Sequence, residues 1–364
     1  MKMNIKIVHT LVLISLILLF TVCCLLPAVV HAWPRNERPG ATFLLIPPGA
    51  RAAGSGYAYT ARIDPCLCNY YNAAGLAFTD SPAITAEYLG YLTGLHPDMH
   101  LVYVAGCYQE ENSALGIQGT YLALAPIEIR DEQGTYIGTR VPWRLAVNIN
   151  YAKSISDKCA IGFGFKIISQ RYSNPGRDFN RYANFGIDAS GTSLTWALDG
   201  NFLYRILPYL DIGCVIQNIG PDIGYTEDSD YWPGYDPLHV DPLPYLFRAG
   251  FSFALLRLDY LICMVSADFT KLCLNMFRND EYSFWQHVEY EFLNEPWKGI
   301  GLECAVYDIV TLRGGYFYDG EGRRSGFTYG AGLSYAGIAL DIGIDEEIFD
   351  FSTKNRRISL TYKF

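Results

Sequence analysis

The chain ends Arg357-Ile358-Ser359-Leu360-Thr361-Tyr362-Lys363-Phe364. Side chains alternate across an extended strand, so Ile358, Leu360, Tyr362 and Phe364 share one face and Arg357, Ser359, Thr361 and Lys363 the other. A soluble domain seldom finishes on an exposed aromatic, whereas the closing strand of an outer-membrane barrel carries a lipid-facing, aromatic-girdled side. The stretch therefore predicts an all-β fold, a transmembrane antiparallel β-barrel whose last strand meets the first.

The same alternation recurs upstream. Leu145, Val147, Ile149 and Tyr151 oppose Ala146, Asn148, Asn150 and Ala152, and Ile161, Phe163, Phe165 and Ile167 oppose Gly162, Gly164, Lys166 and Ile168. One face is greasy and aromatic, and the other is small, polar or charged. Fourteen strands are expected, near 82–91, 100–110, 112–124, 140–152, 159–171, 193–205, 208–220, 245–256, 258–270, 299–307, 309–318, 325–336, 337–345 and 355–364. An even number is what a closed single-chain barrel needs. Strands of a soluble sandwich alternate in the same way, so the connections decide. Those after even-numbered strands are brief, whereas most after odd-numbered strands are long, including 125–139, 174–192, 221–244 and 271–298. Short turns on one side and long loops on the other are the asymmetry of an outer-membrane barrel. Within the last of these loops, 283–293 reads as a further strand or a helix.

The opposite end of the chain points to the same compartment. Met1 to Ala32 has the three parts of a secretory leader: Lys2 and Lys6, the apolar run Leu11 to Leu26, and the ending Val30-His31-Ala32. The run is also about long enough for a helical anchor. Pro27 and the Val-x-Ala ending favour cleavage after Ala32. The expected organisation is a leader over 1–32, an N-terminal hatch segment over 33–81 and a barrel over 82–364. The net charge is −9, and losing two leader lysines and no acids leaves the remainder more acidic still. Such a chain is poorly suited to nucleic acid, whose affinity rests on neutralising phosphates. No later run resembles a membrane helix, so the spanning falls to strands.

Eight cysteines follow the leader, and in an exported chain an even number invites disulfides. The strand phases argue against them, because Cys159, Cys214 and Cys304 share faces with apolar residues, where they would meet lipid as small hydrophobes. Cys66 and Cys68 are too close in sequence for an unstrained bond, and a metal site there would need further ligands. We find no His-Glu-x-x-His, Gly-x-Ser-x-Gly or phosphate-loop motif, and His96, His100, His239 and His287 show no ligand-like pairing. Neither enzymatic activity nor a cofactor is expected.

Phe43 to Phe78 reads FLLIPPGARAAGSGYAYTARIDPCLCNYYNAAGLAF. With IGCVIQNIGPDIGY from Ile212, LPYLFRAGFSF from Leu243, IGLECAVYDIVTLRGGY from Ile300 and TYGAGLSYAGIALDIGID from Thr328, it resembles the PorV/PorQ family, relatives of the FadL-type barrels. The resemblance covers nearly the whole chain after the leader. It implies a fourteen-stranded barrel with an N-terminal hatch inside it, in the bacterial outer membrane and in contact with its lipid. It also implies one of two roles. PorV-type members assist type IX secretion by receiving secreted cargo, and FadL-type members pass hydrophobic ligands. The hatch motif falls on Arg51, Asn72 and Gly75, but the family's Asn-Pro-Ala-Gly is Asn72-Ala73-Ala74-Gly75 here, without the rigid proline.

The phases point Arg248, Glu303, Arg313 and Asp341 inward as ion-pair candidates, together with Asp199, Arg205, Asp259 and Asp345. A tight turn near Asp308 would set Glu303 and Arg313 opposite each other, worth about 0.2–1 kcal/mol. Arg51, carried into the interior, needs an acid such as Glu303 or Asp341. The loop 221–244 is acidic but fits no calcium motif. Its Tyr231, Trp232 and Tyr235 are candidates for contact with a protein partner or with the headgroup layer.

Overall fold

The computed structural model describes residues 39–130, 133–171, 192–224, 240–273, 296–320, 322, 324–345, 353 and 355–364. Its strands are β1 (Ala83–Gly90), β2 (His100–Glu110), β3 (Ser113–Ala123), β4 (Ile127–Arg130), β5 (Tyr136–Arg140), β6 (Trp143–Ser156), β7 (Cys159–Arg171), β8 (Thr192–Leu207) and β9 (Leu210–Ile219). There follow β10 (Ile223–Gly224), β11 (Val240–Asp241), β12 (Leu246–Leu258), β13 (Leu261–Leu272), β14 (Trp297–Val306), β15 (Val310–Asp319), β16 (Arg324–Tyr335), β17 (Ile338–Ile344) and β18 (Arg356–Lys363). Fourteen of them close a barrel in the order β1-β18-β17-β16-β15-β14-β13-β12-β9-β8-β7-β6-β3-β2, and each matches an expected segment. The two-stranded sheets β4–β5 and β10–β11 were not expected. They fall within long loops, where polar, irregular sequence hides the strand period.

The barrel closes where the last strand was expected to close it. Ile84 pairs with Tyr362 and Glu87 with Ser359, and the Phe364 amide donates to the Pro82 carbonyl at 3.0 Å. Ile358, Leu360, Tyr362 and Phe364 are exposed on the outside, while Arg357, Ser359 and Thr361 are buried. Along β16 the exposed residues Phe327, Tyr329, Leu333 and Tyr335 repeat the pattern. A wall apolar outside and polar inside satisfies every backbone group between strands and leaves no edge, as a bilayer requires. No helix among the described residues is long and apolar enough to cross a membrane.

Two expectations need correction. Cys304 lies on the outer face as read from its phase, but register brings Cys263 of β13 opposite it, with Cα atoms 4.2 Å apart, and the two form a disulfide. Phase alone assigns a face, and pairing across a long loop is invisible to it. Asp259 does not point inward: it sits exposed in the turn between β12 and β13. The alternation that would have aimed it inward is interrupted by a bulge between Ala254 and Leu256. The candidates Tyr231, Trp232 and Tyr235, the leader and the alternative reading of 283–293 lie outside the described residues.

Candidate functional site

Between Ala41 and Thr79 the chain forms an arm of short helical turns, at Thr42–Leu45, Ala50–Gly54, Cys68–Tyr71 and Ala73–Phe78. Most of its residues are buried, and its apolar side chains Phe43, Tyr71 and Leu76 join a cluster with Leu101, Tyr103, Ile168 and Leu203 of the barrel wall. From residue 40 to residue 79 only Arg51, Arg62 and Asp64 carry formal charge. Every one of them finds an opposite charge.

These charges form one alternating chain. Arg51 Nη1 donates to Asp64 Oδ2 at 3.0 Å and Arg51 Nε to Asp341 Oδ2 at 2.7 Å. The other oxygen of Asp341 accepts from Arg313 Nη1 at 2.8 Å, and Arg313 Nε donates to Glu303 Oε2 at 2.5 Å. Glu303 Oε1 accepts from Arg62, which returns the chain to the arm. Glu303 and Arg313 are direct cross-strand partners in β14 and β15. Three guanidiniums and three carboxylates thus share bonds, so no charge is left uncompensated in a low-dielectric interior. Of the two acids proposed for Arg51, Asp341 takes it, while Glu303 serves Arg62 and Arg313.

Asp64 has a second task. Its Oδ1 accepts from the amides of Cys66 and Leu67 at 3.0 and 2.9 Å, turning the chain into the helix at Cys68. Burial by itself would raise its pKa, but Arg51 and these two amides outweigh burial and hold the carboxyl below its ordinary value. Burial pushes the neighbouring Cys66 and Cys68 thiols up, which keeps them protonated. Among the described residues no three His, Cys, Asp or Glu side chains gather to hold a metal.

Arg248 stands apart from this chain. Its Nη2 donates to the Tyr70 hydroxyl at 3.0 Å, and its guanidinium lies 4.8 Å from the Tyr70 ring centre and 5.4 Å from that of Tyr71. Asn72 caps the turn Ala73–Phe78 by accepting from the Ala74 amide at 3.2 Å, and its Nδ2 donates to the carbonyls of Thr60 and Phe202, both at 2.9 Å. A side chain at Gly75 would meet Cys68 Sγ 2.5 Å away. The sequence reading missed a second cluster. Arg357 Nη1 donates to the Pro47 carbonyl at 2.8 Å and its Nη2 to the Tyr57 hydroxyl at 2.9 Å, with Glu87 at 3.4 Å and Asp345 at 3.6 Å. It also missed Asp268, whose Oδ2 accepts from the amides of Tyr59 and Thr60, both at 2.8 Å, and from the Thr60 hydroxyl at 2.6 Å. The inward phases of Arg357, Glu87 and Asp268 were the available signal.

Space around the arm is scarce. Voids beside Arg51 and Asp64, beside Tyr57 and Asp268, and beside Tyr70 and Lys166 measure about 10, 20 and 10 Å³. Each has room for roughly one water molecule. A larger basin of about 480 Å³ opens at the long-loop end, lined by Phe43, Leu45, Ile46, Tyr91, Met99 and Trp297 among others.

A closed fourteen-strand antiparallel wall with this outside-to-inside polarity defines a β-barrel of the outer-membrane type. The sequence profile of the type IX secretion system protein PorV matches residues 35–276, and the chain belongs to that family. Solved transporter barrels share its fold. The toluene transporter TbuX of Ralstonia pickettii superposes with a TM-score of 0.53 at 14% identity, covering 88% of this chain and 100% of that one. The toluene transporter TodX of Pseudomonas putida gives 0.53 at 10% identity, covering 87% and 98%. No curated protein matches the chain in sequence.

Proposed function

We propose that this barrel is a protein-handling component of type IX secretion, exported by a cleaved leader and seated in the bacterial outer membrane. On this reading residues 41–79 are a fixed hatch, and work is done by the long loops that receive secreted cargo or other secretion components. The observation that carries the reading is the interior: the arm bonds to inward residues of β1, β8, β13, β14, β17 and β18, and the voids beside it below the long-loop basin are the size of a water. A conduit needs continuous space for its substrate, and an ion-paired filling supplies none. Arg51, Asn72 and Gly75 are then structural, tying the arm to itself and to the wall. Arg313, Glu303 and Asp341 are its counterparts on the wall, and Arg248 clamps the two tyrosines of the arm. Tyr231, Trp232 and Tyr235 are the residues we assign to partner contact.

The basin at the long-loop end favours a second reading, a FadL-like transporter of hydrophobic small molecules, since its lining is largely apolar. The toluene transporters that share the fold make this the natural rival. Capture separates the two. The protein is cross-linked in cells, purified in detergent, and analysed by mass spectrometry for bound proteins and bound lipids. The proposal expects secretion components or their cargo, with capture reduced by replacing Tyr231, Trp232 and Tyr235 with alanine. Copurified fatty acids or aromatics without a protein partner would favour the transporter.

A further inference from the structure

Eight cysteines follow the leader, and strand register sets just one pair of them face to face. Cys107 of β2 lies opposite Ala83 and Gly116, Cys159 of β7 opposite Ser156 and Tyr204, and Cys214 of β9 opposite Phe202 and Ala249. Cys66 and Cys68 belong to the arm, and Cys273 follows β13, where its thiol donates to the Lys271 carbonyl at 3.8 Å. Among the described residues, Cys263 and Cys304 alone are cross-strand partners, and they are joined.

The bond lies on the outer face of the wall. Across the strands its neighbours are Leu256 of β12 and Leu312 of β15, and along β14 they are Leu302 and Val306; all four are exposed, Leu312 to 63%. Exposed apolar side chains on the outside of a membrane barrel meet acyl chains. Just beyond, at the short turns, the rings of Tyr260 and Tyr307 stand 6.3 Å apart, where an aromatic girdle meets the membrane interface. Once the barrel is seated, both sulfurs are inside the hydrocarbon edge.

That position constrains when the bond is made. A thiol enters disulfide exchange as the thiolate, and a thiolate among acyl chains is a charge taken out of water. Oxidation therefore belongs to the aqueous stage of the chain's life. It also belongs to a paired stage. In an unpaired chain the shorter loop closes more readily, which would join Cys263 to Cys273 rather than to Cys304, a separation of 41 residues. We infer that β13 and β14 pair in the periplasm, that a disulfide-carrying thiol oxidoreductase then joins Cys263 to Cys304, and that the joined strands enter the membrane afterwards. The inference rests on the reading that the chain is exported to the outer membrane. In the step itself one cysteine thiolate attacks the carrier's disulfide, and the second displaces the carrier from the mixed disulfide. The two thiols lose two protons and two electrons, and the carrier's disulfide becomes a dithiol. The bond fixes the register beside the inward Glu303, since a slip of one residue would turn that carboxylate toward lipid.

Pulse-labelled cells making the full chain test the order. Samples are quenched in acid, alkylated with iodoacetamide without reduction, and digested, so that mass spectrometry follows the linked Cys263–Cys304 peptide while heat-modifiable migration follows barrel closure. The linked peptide should appear before the closed barrel, and alkylation of either cysteine should be lost from closed barrels. A link that appears only after closure, or closed barrels with both thiols alkylated, would overturn the inference. A host lacking its periplasmic thiol oxidase supplies the second measurement. Oxidised glutathione added to outer membranes holding closed, reduced barrels should leave the pair unlinked, and a link made there would also overturn it. Failure of the unlinked chain to close at all supports the same order. Supplied instead while urea-unfolded chain is diluted into buffer, before membranes are added, the same reagent should join Cys263 to Cys304; joining to Cys273 would contradict pairing in water. Fractionation of the same cells keeps the export reading separate: a chain absent from the outer membrane defeats that reading and the inference with it, whereas a seated barrel with free thiols defeats the inference alone.

Discussion

At the scale of single residues, Arg51 is the point on which the arm depends. It joins Asp64 to Asp341, so removing it leaves buried Asp64 without its charged partner and Asp341 with Arg313 alone. Breaking a buried pair by deleting one partner costs about 3–5 kcal/mol. Arg51→Ala should therefore expose the arm to protease and lower the temperature at which the detergent-solubilised barrel unfolds; unchanged values for both would remove the latch from the account. Acid should act on the same contact. A carboxyl whose folded pKa lies below its unfolded value near 4 contributes stability that is fully present above that value and is lost as pH falls through the folded one. Asp64 is such a group, so its share of arm protection should be flat from about pH 5 to pH 8 and be lost only below about pH 4. Loss of protection nearer neutrality would point to another group. The sequence made Arg51 legible because a charge in an apolar stretch must be paired. Arg62 and Asp64 carried the same signal, but which partner each takes, Glu303 on the wall for Arg62 and Arg51 for Asp64, depends on how the arm folds, which strand periodicity does not encode.

At the scale of elements, the strands were legible because period-two alternation survives wherever one face meets lipid and the other meets the interior. Ile358, Leu360, Tyr362 and Phe364 show it at the seam, and Glu303 opposite Arg313 follows from the tight turn at Asp308. Pairing through long loops was not legible, and the Cys263–Cys304 disulfide is the instance. Glycines within strands are ambiguous in sequence for a related reason. Gly314 and Gly315 are neighbours in β15, yet a methyl on the first meets nothing within 4 Å while one on the second runs into the backbone of Ser55 and Gly56. Gly315→Ala should destabilise the folded barrel by about 1–3 kcal/mol, the usual range for overpacking, with Gly314→Ala close to neutral. Thermal unfolding of the two variants side by side decides it. Equal effects would mean that the arm does not press on the wall at β15.

At the scale of the whole molecule, the wall and the arm form one unit: fourteen strands enclose a segment whose charges they neutralise and whose backbone they approach through glycines. Composition and alternation reach the barrel, and family membership ties it to type IX secretion. They do not distinguish a filled interior from an open one, because inward polar residues line both. The filling argues that the molecule works at its surface, through loops, rather than through its lumen. The most direct test is the fraction of secreted type IX cargo that reaches the cell surface in a host lacking this chain, with uptake of toluene or a fatty acid followed in the same cells. The account predicts that cargo is retained, that restoring the chain releases it, and that uptake is unchanged. Normal cargo arrival together with lost uptake would contradict it.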